Sequence, residues 1–308
     1  MGDDQTAIDL SQLRFTFATR RGDTQTPNTL HVKIYNVSAS TVTKVMKEFT
    51  RVVLQAGYEG NYGLIFDGTI KQVRRLRESP TDTVLEITAA DGDSAYNFAV
   101  VSKTFAAGST ITDHVNEYAS VMFGHGVTQG TIAAMPATVF PRGKVMFGLA
   151  RDHLRCTART AGMDWSIQDG RLQIVPQTAY IEGDVPQINA ASGMIGLPVQ
   201  TIGGIEVKML LNPNIKIGHL IQLNNESIQR YEFQQGAAQE ALNSAVDKTY
   251  AKLNTDGFYK VMMAQHQGDT RGNDWYTDVI CIDADTTTNP SLASKSSVAP
   301  AGPVKPYG

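Results

Sequence analysis

Six histidines and two cysteines are the residues to inspect first, because they supply most general bases, nucleophiles and metal ligands. The histidines are His31, His114, His125, His153, His219 and His266, and the cysteines are Cys156 and Cys281. Zinc needs three or four such ligands at short fixed spacings, and the sequence has neither an H-E-x-x-H run nor a spaced Cys/His cluster. One segment puts a base beside an acid: His266-Gln267-Gly268-Asp269-Thr270. On an exposed hairpin loop that pair could move a proton or hold a metal. The same residues also suit a tight turn, where Asp caps and Gly permits positive φ. Gly124-His125-Gly126 reads as a Gly-rich loop that happens to carry a histidine. A G-x-S-x-G elbow and a Walker loop are both missing. Glycan cleavage needs two carboxylates across a sugar site, but 30 acidic residues offer pairs to any fold and no motif selects one. No catalytic, cofactor-binding or metal-binding residue is therefore assigned, and a non-enzymatic role is expected.

Composition narrows the classes further. With 42% hydrophobic and 19% charged residues over 308 positions, the chain can bury two or three cores without metals or disulfides. A net charge of −3 gives no global basic field, so sequence-specific nucleic-acid binding is not expected. The longest basic cluster, Arg74-Arg75-Leu76-Arg77, reads as a strand with Arg75 and Arg77 on one face and Arg74 on the other. Two isolated cysteines read as buried thiols from a reducing compartment. The N-terminus MGDDQTAIDL lacks the basic and apolar regions of a secretory signal, and no run reaches the ~20 apolar residues of a membrane span. No direct membrane insertion is expected, and folding is expected in cytoplasm.

The elements that would position these residues follow from periodicity. Residues 11–101 alternate in short runs, such as Leu13, Phe15 and Phe17 against Arg14 and Thr16. Ser38 to Phe49 reads as a short helix with Val42, Val45, Met46 and Phe49 on one face. After Phe105 the period changes. Ile111, Val115, Tyr118, Ala119 and Met122 follow a helix, opened by Thr110 and Asp113 as a capping box and stopped at Gly124. Leu154, Ala158 and Ala161 line a second helix. Trp165-Ser166-Ile167 and Leu172-Gln173-Ile174 flank Gln168-Asp169-Gly170, which predicts a hairpin with a three-residue loop. Pro186, Gly193, Gly196 and Pro198 mark a linker. Strands then recur at 205–211 and 220–223, and 258–264 is expected to pair with 275–282 across a polar loop at 267–272. Trp165 and Trp275 sit in these runs and are expected to pack.

The fold class is α+β and mostly β, with two small antiparallel β-barrel modules around an α+β module. The expected divisions are 1–102, 103–185 and 186–285, with a possible helical insertion at 234–254 and an extended tail at 286–308. That tail is poor in residues able to build a core, so a neighbouring chain is expected to hold it, with a fold-back on its own chain as the alternative.

In this order, several stretches resemble the central baseplate hub proteins of contractile phage tails, the late control protein D-like family. They are Ile34-Tyr35-Asn36-Val37-Ser38, Val53 to Tyr58, Ile65 to Ile70, Ile87 to Gly92, Ser192 to Pro198, Leu210 to Pro213, and His266 to Trp275. The resemblance implies a homotrimer whose six barrels match a sixfold tail tube above and a threefold spike below. It implies as partners the tail tube protein, the central spike protein, and further the tape measure protein and baseplate wedge proteins. It places the protein in the virion, at the tail baseplate, with assembly in the host cytoplasm. A tail-associated peptidoglycan hydrolase and a receptor- or glycan-binding tail protein are the alternatives.

Overall fold

The structure, a computed structural model, describes residues 7–23, 25–201, 204–223, 229–230 and 257–284. The helix expected within 234–254 and the tail at 286–308 lie outside the described residues.

The first β-rich part begins with β1 (Phe15–Gly22) paired antiparallel to β2 (Thr29–Tyr35), with Phe17 opposite Val32. Alternation turns Phe17 inward and Arg20 outward, as the period of two requires. Asn36 takes a left-handed turn (φ 55°). Ser38 then caps α1 (Ala39–Glu48) by accepting from the Thr41 amide at 3.2 Å. Val42 and Val45 of α1 are buried, whereas Met46 is exposed. β3 (Arg51–Tyr58), β4 (Asn61–Arg77) and β5 (Thr83–Ala90) complete a sheet in the order β1-β2-β5-β4-β3. Phe17, Leu30, Ile34, Leu54, Ile65, Phe66 and Leu85 form its core, each such side chain contributing about 1.5–3 kcal/mol by leaving water.

The middle part holds α2 (Asp93–Phe98), β6 (Val100–Phe105), α3 (Ile111–Phe123), β7 (Thr128–Ile132), β8 (Lys144–Leu149), α4 (Ala150–Thr160), β9 (Met163–Gln168) and β10 (Arg171–Pro176). The capping box of α3 forms as expected. Thr110 Oγ1 accepts from the Asp113 amide at 3.2 Å, and Asp113 Oδ2 accepts from the Thr110 amide at 2.8 Å. The β9–β10 hairpin is tighter than expected. Gln168 pairs with Arg171, leaving a two-residue loop in which Asp169 (φ 52°) and Gly170 (φ 72°) are both left-handed. That is the turn whose twist matches paired strands. β7, β10 and β9 form one small sheet, and β6 with β8 forms a separate two-stranded ribbon. Tyr118, Met122, Leu154 and Trp165 centre the core beneath them. Cys156 is exposed, contrary to expectation: it sits two residues from Leu154, about 200° round α4 from the buried stripe.

The last part contains β11 (Gln187–Ile188), β12 (Met194–Thr201), β13 (Gly204–Leu210), β14 (Leu220–Leu223), β15 (Gln229–Arg230), β16 (Phe258–Asp269) and β17 (Trp275–Asp283). The stretch read as a linker holds β11 and a short 3-10 turn at Ala190–Ser192, and its end becomes β12. Its Gly196 and Pro198 fall where the pairing with β13 skips between Ile195 and Val199, a bulge that tolerates a missing amide donor. β16 also runs further than expected. Gln267 pairs with Tyr276 and Gly268 with Trp275, so the connection to β17 is shorter than the loop read at 267–272.

One feature joins the two ends of the chain. β1 pairs antiparallel with β16 over seven positions, from Thr16 opposite Asp269 to Gly22 opposite Met263. The sheet therefore runs continuously as β15-β12-β13-β17-β16-β1-β2-β5-β4-β3. The two β-rich parts keep separate cores while sharing this backbone ladder.

Candidate assembly surfaces and the module junction

The histidines do not converge. Among the described residues no group of three or more His, Cys, Asp or Glu side chains is placed to hold a metal. His266 and Asp269 lie three apart on β16, so the pleat sends them to opposite faces. His266 is buried rather than exposed on a loop. Its amide donates to Thr19 Oγ1 at 3.2 Å and its Nδ1 lies 2.9 Å from Thr277 Oγ1. Burial, with Arg21 and Lys216 nearby, pushes its pKa down to about 3, so the ring is neutral. Asp269 instead binds Arg14 through both oxygens, at 2.7 and 3.3 Å, which holds its carboxyl below the usual range. His125 sits in the turn after α3, with Nδ1 3.4 Å from Ser94 Oγ. His114 stacks on Phe140, with ring centroids 4.6 Å apart, and lies tilted against Phe105 at 4.1 Å.

His266 belongs to a polar junction where the three parts of the chain meet. The inward face of β1 changes from Phe17 to Thr19 to Arg21. Arg21 is 2% exposed. Its Nη1 donates to the Ile65 carbonyl of β4 at 3.0 Å, and its Nη2 lies 2.9 Å from Asp169 Oδ2 in the β9–β10 turn. Lys216, from the connection before β14, approaches the same Asp169 oxygen at 3.6 Å and donates to the Leu64 carbonyl at 3.4 Å. Burial lowers the Lys216 pKa, with Asp169 opposing the shift. One carboxylate in the middle part thus holds a cation from each β-rich part.

A second seam ties the β9–β10 hairpin to the first sheet. Asn28 Nδ2 donates to Gln168 Oε1 at 2.9 Å and to the Ile167 carbonyl at 3.1 Å, and Gln168 Nε2 donates to the Gly22 carbonyl at 2.8 Å. Asp91 Oδ1 accepts from the Gly170 amide at 2.8 Å. Burial pushes Asp91 up to about 6; that amide opposes the shift and Asp169 adds to it. Gly92 lets the surfaces close, since a Cβ there would lie 2.7 Å from Ile167 Cδ1. From sequence His266 stands out beside Asp269, and Gln168 and Asp169 as hairpin-loop residues, but nothing marks Arg21, Asn28 or Lys216 as what they meet. The available signal was Arg21 itself, at an inward position of an alternating strand.

Two outward surfaces are apolar. The outer face of the β6–β8 ribbon carries Val100, Val145 and Phe147, with Phe98 just before it. The β3–β4 hairpin at the end of the sheet presents Val53 and Tyr62. A shallow groove crosses the outer face of the last part, with Val199, Glu206, Ile280 and Met263 in one cross-strand row. The basic run falls in β4 as read: Arg74 pairs with Glu86 at 2.9 Å, while Arg75 and Arg77 lie on the other face.

Comparison with known proteins gives this geometry a context. No curated protein matches the chain by sequence. By structure it is similar to the 43 kDa tail protein of prophage MuSo2 from Shewanella oneidensis, at 8% identity and TM-score 0.55, covering 88% of this chain and 93% of that one. It is also similar to the Escherichia coli c3393 protein, a component of the type VI secretion system, described as structurally similar to the T4 tail proteins gp27 and gp5. That match has 10% identity and TM-score 0.54, covering 91% of this chain and 74% of the other. At these identities the likeness is one of fold. The sequence profile of baseplate hub gp41 matches residues 30–228, which take in the first β-rich part from β2 onward, the whole middle part and the start of the last. The chain belongs to the baseplate hub gp41 family, the structural proteins of the phage tail.

Proposed function

We propose that this chain is a homotrimeric hub that adapts a sixfold tail tube to a threefold central spike, and that it acts by assembly rather than catalysis. Three modules carry this role, expected at 1–102, 103–185 and 186–285 with α2 and β6 packing on the middle core, and the first and last act as tube-like units. The observation that supports it best is the β1–β16 ladder. It fixes two β-rich units side by side in one chain, so three chains present six such units around an axis. The polar junction supports the same reading, because Asp169 holds both units to the middle module. A symmetry adaptor needs that relative orientation to be rigid. The tail tube protein is the expected partner on one face and the central spike protein on the other. The tape measure protein and baseplate wedge proteins are further neighbours, with assembly in the host cytoplasm.

Copy number per purified particle tests this, measured by quantitative mass spectrometry against the tube protein. Three copies are expected. A number equal to that of the tube subunits would make this a tube protein, and absence from particles would refute the reading.

A further inference from the structure

The two β-rich parts are built on one topology. The first has the sheet order β1-β2-β5-β4-β3, and the last has β12-β13-β17-β16-β14, with every neighbouring pair antiparallel. In chain order, β1, β2, β3, β4 and β5 therefore correspond to β12, β13, β14, β16 and β17. The likeness extends to an irregularity: the pairing skips Lys71 in β4 and Met262 in β16. That shared bulge aligns the two registers, so Gln72 corresponds to Met263 and Arg75 to His266. Followed across the ladders, Ala18 corresponds to Val199 and Thr19 to Gln200.

One pair of corresponding edges is filled differently. β14 covers only the first residues of β16, and β3 covers β4 only as far as Thr69. Beyond that point the edge of β16 is taken by β1, from Met263 to Asp269. The same edge of β4, from Lys71 to Arg77, carries no strand among the described residues. The Glu78 amide turns to the Asp82 carbonyl, so by alternation the amides of Val73, Arg75 and Arg77 face the open edge. An exposed row of strand amides and carbonyls is a template for another strand. The strand that corresponds to β1 is β12, and along its outer edge lies only the two-residue β15, Gln229 and Arg230. In one chain β12 and β4 sit toward opposite ends of the sheet, so the strand for β4 has to come from another copy.

We propose that the open edge of β4 in one copy receives the outer edge of β12 from the next copy, in the register that β1 takes on β16 and in place of β15. Leu76 then faces Val199, as Gln267 faces Ala18, and Arg75 faces Gln200, as His266 faces Thr19. Across the bulge at Gly196 and Pro198, Ile195 returns to the register opposite Glu78, as Thr16 lies opposite Asp269. The side chains suit these places. Leu76 is 44% exposed in the single chain and would meet half-buried Val199 as an apolar cross-strand pair. Gln200 is buried, and its Oε1 has no hydrogen-bond partner among the described residues. Arg75 is exposed, makes no ion pair among the described residues, and brings donors to that acceptor. Each copy gives one edge and receives the other, which is a heterologous contact. The contact rests on the homotrimer proposed above, while the internal repeat selects the edges that form it.

Disulfide cross-linking of the full chain tests the register. Exposed Cys156 is first changed to serine, and Leu76→Cys and Val199→Cys are placed in separate chains, mixed and oxidised. The corresponding pair, Ala18 and Gln267, is a non-hydrogen-bonded one, since the His266 amide rather than that of Gln267 turns toward β1. Such pairs hold their side chains close enough for a disulfide. A covalent dimer is expected from the mixture, forming at least about 10-fold faster than from Arg75→Cys mixed with Val199→Cys, whose side chains take opposite faces. Light scattering on wild type separates this contact from the trimer. A wild type that associates while the two mixtures link at equal rates overturns the β4–β12 contact and leaves the trimer standing. A wild type that stays monomeric at all concentrations overturns both. If Val199→Cys fails to fold, amide exchange on wild type decides without a substitution. The amides of Val73, Arg75 and Arg77 are expected to exchange at least about 10-fold slower in the associated protein than in the dilute monomer, and equal rates refute the pairing.

Discussion

Replacing Arg21 with methionine removes the cation that ties the first β-rich part to the middle part while keeping most of its volume. Two groups lose their partner. The Ile65 carbonyl loses a 3.0 Å bond from a buried donor, and Asp169 loses its 2.9 Å ion pair. Breaking a buried ion pair by removing one member costs about 3–5 kcal/mol. Asp169 is 23% exposed and keeps Lys216 at 3.6 Å, so water and the second cation recover part of that cost. The orphaned carbonyl adds about 1–3 kcal/mol. A net loss of about 3 kcal/mol is expected, from the lower end of each range. Its location matters more than its size, because the contact lies between modules and none of the three cores is disturbed. The assay is urea unfolding of protein labelled with 5-fluorotryptophan, read by fluorine NMR. The chain has two tryptophans. Trp165 sits in the middle core, and Trp275 packs against the core of the first β-rich part. In wild type both signals should report one transition. In Arg21→Met the Trp165 transition should separate from that of Trp275, with the overall midpoint lowered. Coincident transitions and a loss under about 0.5 kcal/mol would show that Arg21 is no junction and that the reasoning is wrong.

Two buried groups should give the stability profile opposite slopes in acid. His266 titrates at about 3 in the fold against 6.5 in an unfolded chain, so the unfolded state takes up the proton first. Stability is then complete above pH 6.5 and falls as pH drops toward 3, by up to about 5 kcal/mol at 1.36 kcal/mol per unit. His266→Asn should flatten that limb in urea titrations at stepped pH, and an unchanged slope would refute the assignment. Asp91 is raised to about 6 against 3.8, so here the folded state takes up the proton first. Its contribution is full below pH 3.8 and is lost as pH rises through 6, about 3 kcal/mol in all. Asp91→Asn should be more stable than wild type at pH 7 and lose the advantage at pH 4; a variant less stable at both pH values would mean that the ionised carboxylate is needed by the Gly170 amide.

Much of the local structure was legible in the sequence because short-range physics decides it. Thr110 with Asp113 specified the start of α3, since the capping box is closed by residues three apart. Val42 and Val45 fixed the buried face of α1, and alternation fixed which residues of β1 and β2 face inward. Order along the chain was enough to carry the resemblance to baseplate hubs. What tertiary structure alone decided is the partner of each strand and the fate of polar side chains placed inward. Nothing local in Phe15–Gly22 points to Phe258–Asp269, yet the β1–β16 ladder joins the two ends of the chain. Periodicity reveals which face a residue takes and not what it meets there, so nothing local distinguishes Arg21 from any other charge in a strand. His266 was read onto a loop because Gly268 and Asp269 are turn formers. Pairing with Tyr276 and Trp275 instead keeps that segment extended, and the pleat turns the imidazole inward against Thr277. Pairing free energy gathered along a whole strand overrides the turn preference of two residues, and that sum exists only once the distant partner is in place.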